Sequence, residues 1–257
     1  MYGSQPVSSS ILHLLCRCPI LVVPIALGLI FGIPNFSQVP EECLPSSMVT
    51  FTFDDGYFST YDKAFPILEK YSYPATVFVI TSAIGEPGYM TTEQILELAD
   101  NGWEIGSHTV SHPDLTQLSD EQLKYELLVS QQYLENLGLT VRNFSSPHGR
   151  YDKRVVKTIS QYYDSHRTSW PAELNNLPLN NPEDRYYLKS VSVEAKTTVE
   201  EVKQWIIKAK EEEKWLILLF HHIDERGDYN WSSEDFEEVV KFVYEQQFEG
   251  VSMNEIN

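Results

Sequence analysis

The sequence predicts an α/β fold, a barrel-like parallel sheet built from about seven strand–helix units, and three observations carry this. After Glu41, short apolar, β-branched runs alternate with amphipathic runs, many of them opened by a capping residue. Neither sequence repeats nor low-complexity linkers interrupt residues 41–257, so this stretch reads as one domain. Histidines and carboxylates gather just after the strand-like runs, where parallel barrels carry their chemistry.

Val49–Phe53, within the run Met48–Phe53 that alternates Thr with apolar residues, reads as the first strand, followed by Asp54-Asp55-Gly56. Thr60–Tyr71 is a helix that Pro66 kinks or breaks. Ala75–Thr81 is a buried strand by its β-branched content. Thr91 and Gln94 form a capping box that opens a helix to Asp100, stopped by Asn101-Gly102. Trp103–Ser107 is the next strand. Ser119 and Gln122 cap a long helix that runs to Leu137 and closes at Gly138. Arg142–Ser145 is a strand, Lys153–Gln161 a helix and Tyr163–Arg167 a strand. Asn175–Glu183 is a polar loop, Tyr187–Val193 an alternating strand and Thr198–Glu213 a helix. Trp215–Phe220 is apolar throughout, as a fully buried strand requires. Ser232–Gln247 is a capped helix and Val251–Met253 a last short strand.

The composition narrows the function. The 257 residues carry 42% hydrophobic residues, enough for a large core, and a formal net charge of −18. That charge argues against nucleic acid, whose partners show a basic footprint. Residues 1–40 stand apart as a signal or anchor segment. From Cys18 to Pro40 no residue is charged, Arg17 precedes the run and Glu41-Glu42 follow it. The positive-inside rule then puts the N-terminus in the cytoplasm and the remainder outside, membrane-anchored or secreted. The absence of a small-x-small cleavage site favours an anchor. Cys16, Cys18 and Cys43 are an odd set and imply no disulfide framework.

The paired carboxylates are the first chemical signal. Side chains alternate along a strand, so Asp54 and Asp55 serve one site only where the backbone turns, and Gly56 permits the turn. Two like charges there need a cation or a shared proton, which suggests one carboxylate for a metal and one for proton transfer. The second signal is His108 and His112, whose spacing lets both imidazoles face one ion, with a carboxylate completing an open three-ligand site. Of the seven histidines, six (108, 112, 148, 166, 221 and 222) fall at or beside strand ends.

Thr-Phe-Asp-Asp-Gly at 52–56 with His-Thr-Val-Ser-His at 108–112 resembles the NodB-homology polysaccharide deacetylases, carbohydrate esterase family 4. The resemblance spans Met48 to Ser252 and implies a distorted (β/α)7 barrel that removes acetyl groups from glycans with a divalent metal. It assigns Asp55, His108 and His112 to the metal, zinc before other first-row ions, and Asp54 to the catalytic base. Leu219-Phe220-His221 is similar to the family's Leu-x-His motif, making His221 the general acid, in preference to its neighbour His222, and Leu219 part of the acetyl pocket. The third motif departs: where the family has Arg-x-Pro-Tyr-Gly, this chain has Ser145-Ser146-Pro147-His148-Gly149. Pro147 and Gly149 keep the loop, and the His148 N–H is the expected oxyanion donor. Arg167, one strand further on, is the candidate to replace the missing arginine; the alternative is a surface salt bridge. Asp164 and Trp170 are the expected remnants of a blurred fourth motif, with Trp170 also in the substrate pocket.

The implied activity is a hydrolase acting on non-peptide carbon–nitrogen bonds: metal-dependent release of acetate from an N- or O-acetylated polysaccharide. The candidate glycans are chitin-like polymers, peptidoglycan, β-1,6-glucosamine polymer and acetylated xylan. The other readings are a non-catalytic glycan-binding barrel and an amide hydrolase of the same fold acting on small nitrogen compounds. Tyr151, Trp170, Tyr229 and Trp231 are the aromatic residues available to stack on sugar rings.

Overall fold

The structure, a computed structural model, describes residues 47–256. The expected anchor at 1–40 lies outside them. In chain order the elements are β1 (Met48–Phe53), α1 (Phe65–Tyr71), β2 (Ala75–Val79), α2 (Thr92–Asp100), β3 (Glu104–Ser107), α3 (Asp120–Asn136), β4 (Asn143–Ser145), α4 (Lys153–Ile159), β5 (Ser165–Arg167), β6 (Val191–Ser192), α5 (Val199–Glu211), β7 (Trp215–Phe220), β8 (His222–Ile223), β9 (Asn230–Trp231), α6 (Ser233–Glu245) and β10 (Glu249–Gly250). Seven strands lie in the order β5-β4-β3-β2-β1-β7-β6, all parallel, and β10 adds beside the start of β1. The sheet curls until its two ends meet at one bridge, Arg167 opposite Leu188. There the Leu188 N–H donates to the His166 carbonyl (3.1 Å) and the Thr168 N–H to the Leu188 carbonyl (2.7 Å). The result is the expected distorted barrel.

Strand periodicity sorts the core into two parts. On β7, Leu216, Leu218 and Phe220 pack outward under the helices, while Trp215 and Ile217 pack with Met48, Phe78, Leu188, Val251 and Met253 inside the barrel. On β1, Phe51 and Phe53 belong to the outer cluster, where Phe53 stacks on Trp103 (5.7 Å) and Phe220 (5.6 Å). Thr50 and Thr52 fall on the other face: Thr50 Oγ1 accepts from Trp215 Nε1 (2.9 Å), and Thr52 Oγ1 donates to the Leu218 carbonyl (2.9 Å). The inward phase of both strands therefore runs on to Asp54 and Leu219 at the carboxyl end.

The helix starts follow their caps. Thr91, Ser119 and Thr198 each form a reciprocal capping box, and Asp152 and Ser232 cap α4 and α6. Pro66 does not kink a long helix. A π-helical turn, Thr60–Ala64, leads into α1, and Pro66 sits in its first turn, where no N–H is needed. Two strand expectations shift. Tyr187 ends a 3-10 helix (Pro182–Tyr187), leaving only Val191–Ser192 as strand, because the chain turns to meet β5 at Leu188. The last strand is Glu249–Gly250, not Val251–Met253. Tyr73 lies so close to Gly250 that a Cβ there would stand 2.0 Å from its ring. The short pair β8 and β9 was not expected; two-residue strands carry no periodic signal.

Candidate active site

At the carboxyl end of the barrel lies an open cavity of about 910 Å³. Asp54, Asp55, His108, His112, His148, Trp170, Leu219 and His221 line it, brought there from β1, β3, β4, β5 and β7. Several non-glycine residues at this end hold a left-handed backbone, among them Asp55 (φ 72°), Thr109 (73°), His112 (59°) and His148 (58°). Thr109 is β-branched, for which such a φ is a true outlier. Strain of this kind persists where neighbouring structure over-determines it.

The turn at Asp55 separates the two carboxylates. Asp55 Oδ1 lies 3.4 Å from His108 Nε2 and 3.3 Å from His112 Nε2. His108 Nδ1 is 2.8 Å from the Ser145 carbonyl, which only accepts, so Nδ1 carries a proton, and in the neutral ring Nε2 turns its lone pair toward Asp55. Asp55 Oδ1 is buried and has no hydrogen-bond partner among the described residues. Ligand atoms of the three residues thus converge on one point. These three residues fit a divalent cation, as a His₂-carboxylate set with an open side does. Burial, followed by the neighbouring His108, lowers the His112 pKa to about 4, which favours the neutral, metal-binding form.

Asp54 Oδ2 lies 3.9 Å from the same His108 nitrogen, but other groups hold this carboxylate. Its Oδ1 pairs with Arg167 Nη2, and Ser145 Oγ lies 3.4 Å from Oδ2 while accepting from Arg167 Nη2 at 2.6 Å. Arg167 is 1% exposed, so it is a buried partner of Asp54 and not a surface salt bridge. Burial would raise the Asp54 pKa, but the charge of Arg167, helped by His108 and His221, outweighs it and holds Asp54 below the usual carboxylate range. The serine at the start of the altered third motif therefore leaves room for an arginine from β5, and its hydroxyl joins the two.

His221 lines the cavity, whereas the His222 ring stacks on Tyr57 at 3.6 Å. His221 Nδ1 is buried without a hydrogen-bond partner among the described residues, and burial lowers its pKa despite the pull of Asp54 and Asp55. Among the described residues no carboxylate hydrogen-bonds its Nδ1. Asp164, the expected remnant for that task, is exposed at the opposite end of β5 and lies 4.0 Å from Arg142. Pro147, expected in the substrate pocket, is buried in the 147–149 turn and is not among the residues that line the cavity. His148 is exposed, its ring centroid 4.5 Å from that of His112. Trp170, 74% exposed, and Tyr229, 54% exposed, flank the opening. Trp231 instead enters the core and donates from Nε1 to the Thr197 carbonyl (3.0 Å), while Tyr151 packs on His166 outside this cavity. His166 is wholly buried, Nε2 on Ser146 Oγ (2.8 Å) and Nδ1 on the Tyr186 carbonyl (2.9 Å). It holds the β4 and β5 ends together and does not reach the cavity.

Three residues of this site escaped the sequence. Ser145 bridges Asp54 and Arg167, Tyr57 lines the cavity, and Glu126 of α3 holds the loop between the two metal-facing histidines. Tyr57 follows directly on Asp-Asp-Gly, which was a usable cue. Glu126 offered none, since its helix position gives no hint of what it grips.

A family model described as polysaccharide deacetylase matches residues 41–163. A putative polysaccharide deacetylase of Bacillus subtilis, YxkH, is 38% identical over 114 residues, covering 44% of this chain and 41% of that protein. A peptidoglycan-N-acetylglucosamine deacetylase of Bacillus cereus is 30% identical over 135 residues, covering 52% of this chain and 60% of that one. The chain thus spans less than two thirds of the length of these relatives. Among solved structures, T48 deacetylase with substrate superposes with a TM-score of 0.58 at 21% identity, over 82% of this chain and 90% of that one. That likeness shows the fold.

Proposed function

The chain belongs to the polysaccharide deacetylase family, through residues 41–163, and from that premise we propose that it hydrolyses acetyl groups from an N-acetylated polysaccharide with a divalent metal, releasing acetate. The observation that carries this reading is the division between the neighbouring carboxylates: Asp55 joins two imidazoles, and Asp54 pairs with a buried arginine.

Asp55, His108 and His112 would hold the ion, with zinc the first choice. A divalent ion held there would supply an acidified water and polarisation of the acyl oxygen. Asp54, kept ionised by Arg167, takes the proton of the attacking water. The His148 N–H faces the developing oxyanion, a task for backbone that needs no tyrosine side chain. His221 hands a proton to the departing sugar nitrogen, and acetate and a free amine result. Leu219 meets the acetyl methyl, and Trp170 offers its exposed face to a sugar ring. We further propose that residues 1–40 anchor residues 41–257 outside the cytoplasm; Arg17 and the uncharged run after it support this. Protease shaving of intact cells would digest the domain if so, and protection of the domain would refute it.

The test is acetate release on chitin oligomers, peptidoglycan, β-1,6-N-acetylglucosamine polymer and acetylated xylan, before and after chelation. Release from an N-acetylated glycan that stops on chelation and returns with zinc is expected. Glycan binding without acetate would instead favour a non-catalytic barrel. Turnover confined to small amides would favour the amide hydrolase.

A further inference from the structure

We propose that Glu126 is a positioning residue for the metal centre, holding the 109–112 loop in the strained shape that lets His112 face Asp55 and His108. The inference rests on reading those three residues as the metal ligands.

The loop reverses direction within four residues, two of which, Thr109 and His112, have left-handed backbones. Its carbonyls are taken up on one side: the Thr81 N–H donates to the Thr109 carbonyl (3.1 Å) and the Ser82 N–H to the Val110 carbonyl (3.0 Å). Its N–H groups are taken up on the other. The Val110 and Ser111 N–H groups both donate to Glu126 Oε2, at 2.8 and 2.9 Å, and the Ser111 hydroxyl donates to Oε1 at 2.7 Å. The His112 N–H closes the turn on Thr109 Oγ1 (2.9 Å). Glu126 is 8% exposed, and its hydrogen bonds here go to the loop between the two histidines.

A carboxylate that accepts three hydrogen bonds from one tight turn does more than fill space. Charge-assisted bonds of this sort are shorter and stronger than neutral ones. Groups that orient metal ligands from behind commonly change metal affinity 10–100-fold when altered. One turn along α3, Ser130 also touches the barrel, its hydroxyl 2.8 Å from Ser107 Oγ, but it does not touch the loop. It serves as a control with the same helix and a similar depth.

The experiment is competitive titration of zinc against a chelator, with the melting temperature of each metal-free protein measured in parallel. Glu126→Gln should weaken zinc binding about 10–100-fold, since a neutral amide oxygen replaces the charged acceptor of the Val110 and Ser111 N–H groups. Ser111→Ala, which removes one donor and leaves the fold intact, should weaken it by a few-fold. Ser130→Ala should lower the melting temperature and leave zinc affinity unchanged. Should Glu126→Gln fail to fold, the Ser111→Ala result decides. Wild-type affinity in Glu126→Gln, or in Ser111→Ala if that variant alone folds, would overturn the inference and leave the proposed function standing. A wild-type protein that binds no zinc or other first-row ion would overturn the reading on which both rest.

Discussion

Asp54 and Asp55 are covalent neighbours that both approach His108 but differ in their other partners, Arg167 and His112, and that difference predicts separable losses. Asp54→Asn should retain metal but lose 10²-fold or more in turnover, as expected when a general base is removed. His108→Ala should instead lose the metal, read by elemental analysis. Arg167 lowers the Asp54 pKa, so Asp54 is the working base above that depressed pKa and fails as pH falls through it. Removing the guanidinium in Arg167→Gln should raise the Asp54 pKa. The acidic limb of kcat/KM should therefore move to higher pH, and an unmoved limb would dissociate Arg167 from the base. His221→Gln should cost an amide substrate far more than an activated aryl acetate, whose leaving group departs without a proton. Equal losses on both would argue against an acid role.

Glu104, at the start of β3, joins elements far from the site. It accepts from Thr76 Oγ1 (3.0 Å) and the Asn254 N–H (2.8 Å), and Asn143 Nδ2 also reaches it. Burial nonetheless dominates these bonds and raises its pKa to about 7. A carboxyl whose folded pKa exceeds its unfolded value favours the fold when protonated. The contribution is complete below about 4.5 and is lost as pH rises through about 7. Wild-type melting temperature should therefore fall between pH 5 and pH 8 more steeply than that of Glu104→Gln. Matching slopes in differential scanning calorimetry would refute this. The helix caps are more local. Ser119→Ala removes the hydroxyl that accepts from the Gln122 N–H and should cost about 1 kcal/mol in a urea titration.

For the molecule as a whole, the metal couples site to fold. Ligands from β1 and from the loop after β3 meet only in the closed barrel, so an ion that binds the native state stabilises it by mass action. Zinc at about 100 times its Kd should add roughly 2.7 kcal/mol of stability, visible as a higher melting temperature that a chelator reverses. A melting temperature indifferent to both would exclude a tight site.

Much of this was legible in the chain because the signals are local. Strand and helix alternation, two capping boxes, the turn at Asp54-Asp55-Gly56 and the spacing of His108 and His112 are each contained within a few residues. Parallel topology then sends strand ends to one face, so Asp54, Asp55, both histidines and His221 could be gathered without coordinates. Tertiary structure alone decided which distant groups touch. Arg167 meets Asp54 across 113 residues of chain because β5 curls toward the barrel mouth. Asp164, three residues earlier, points to solvent from the other end of the same strand. Pro147 is buried while His148 beside it is exposed, and Glu126 reaches a loop 15 and 16 residues away only because α3 packs against it. Periodicity and capping are short-range properties of a sequence. Partnership across a barrel depends on closure and register, which no short window of residues contains.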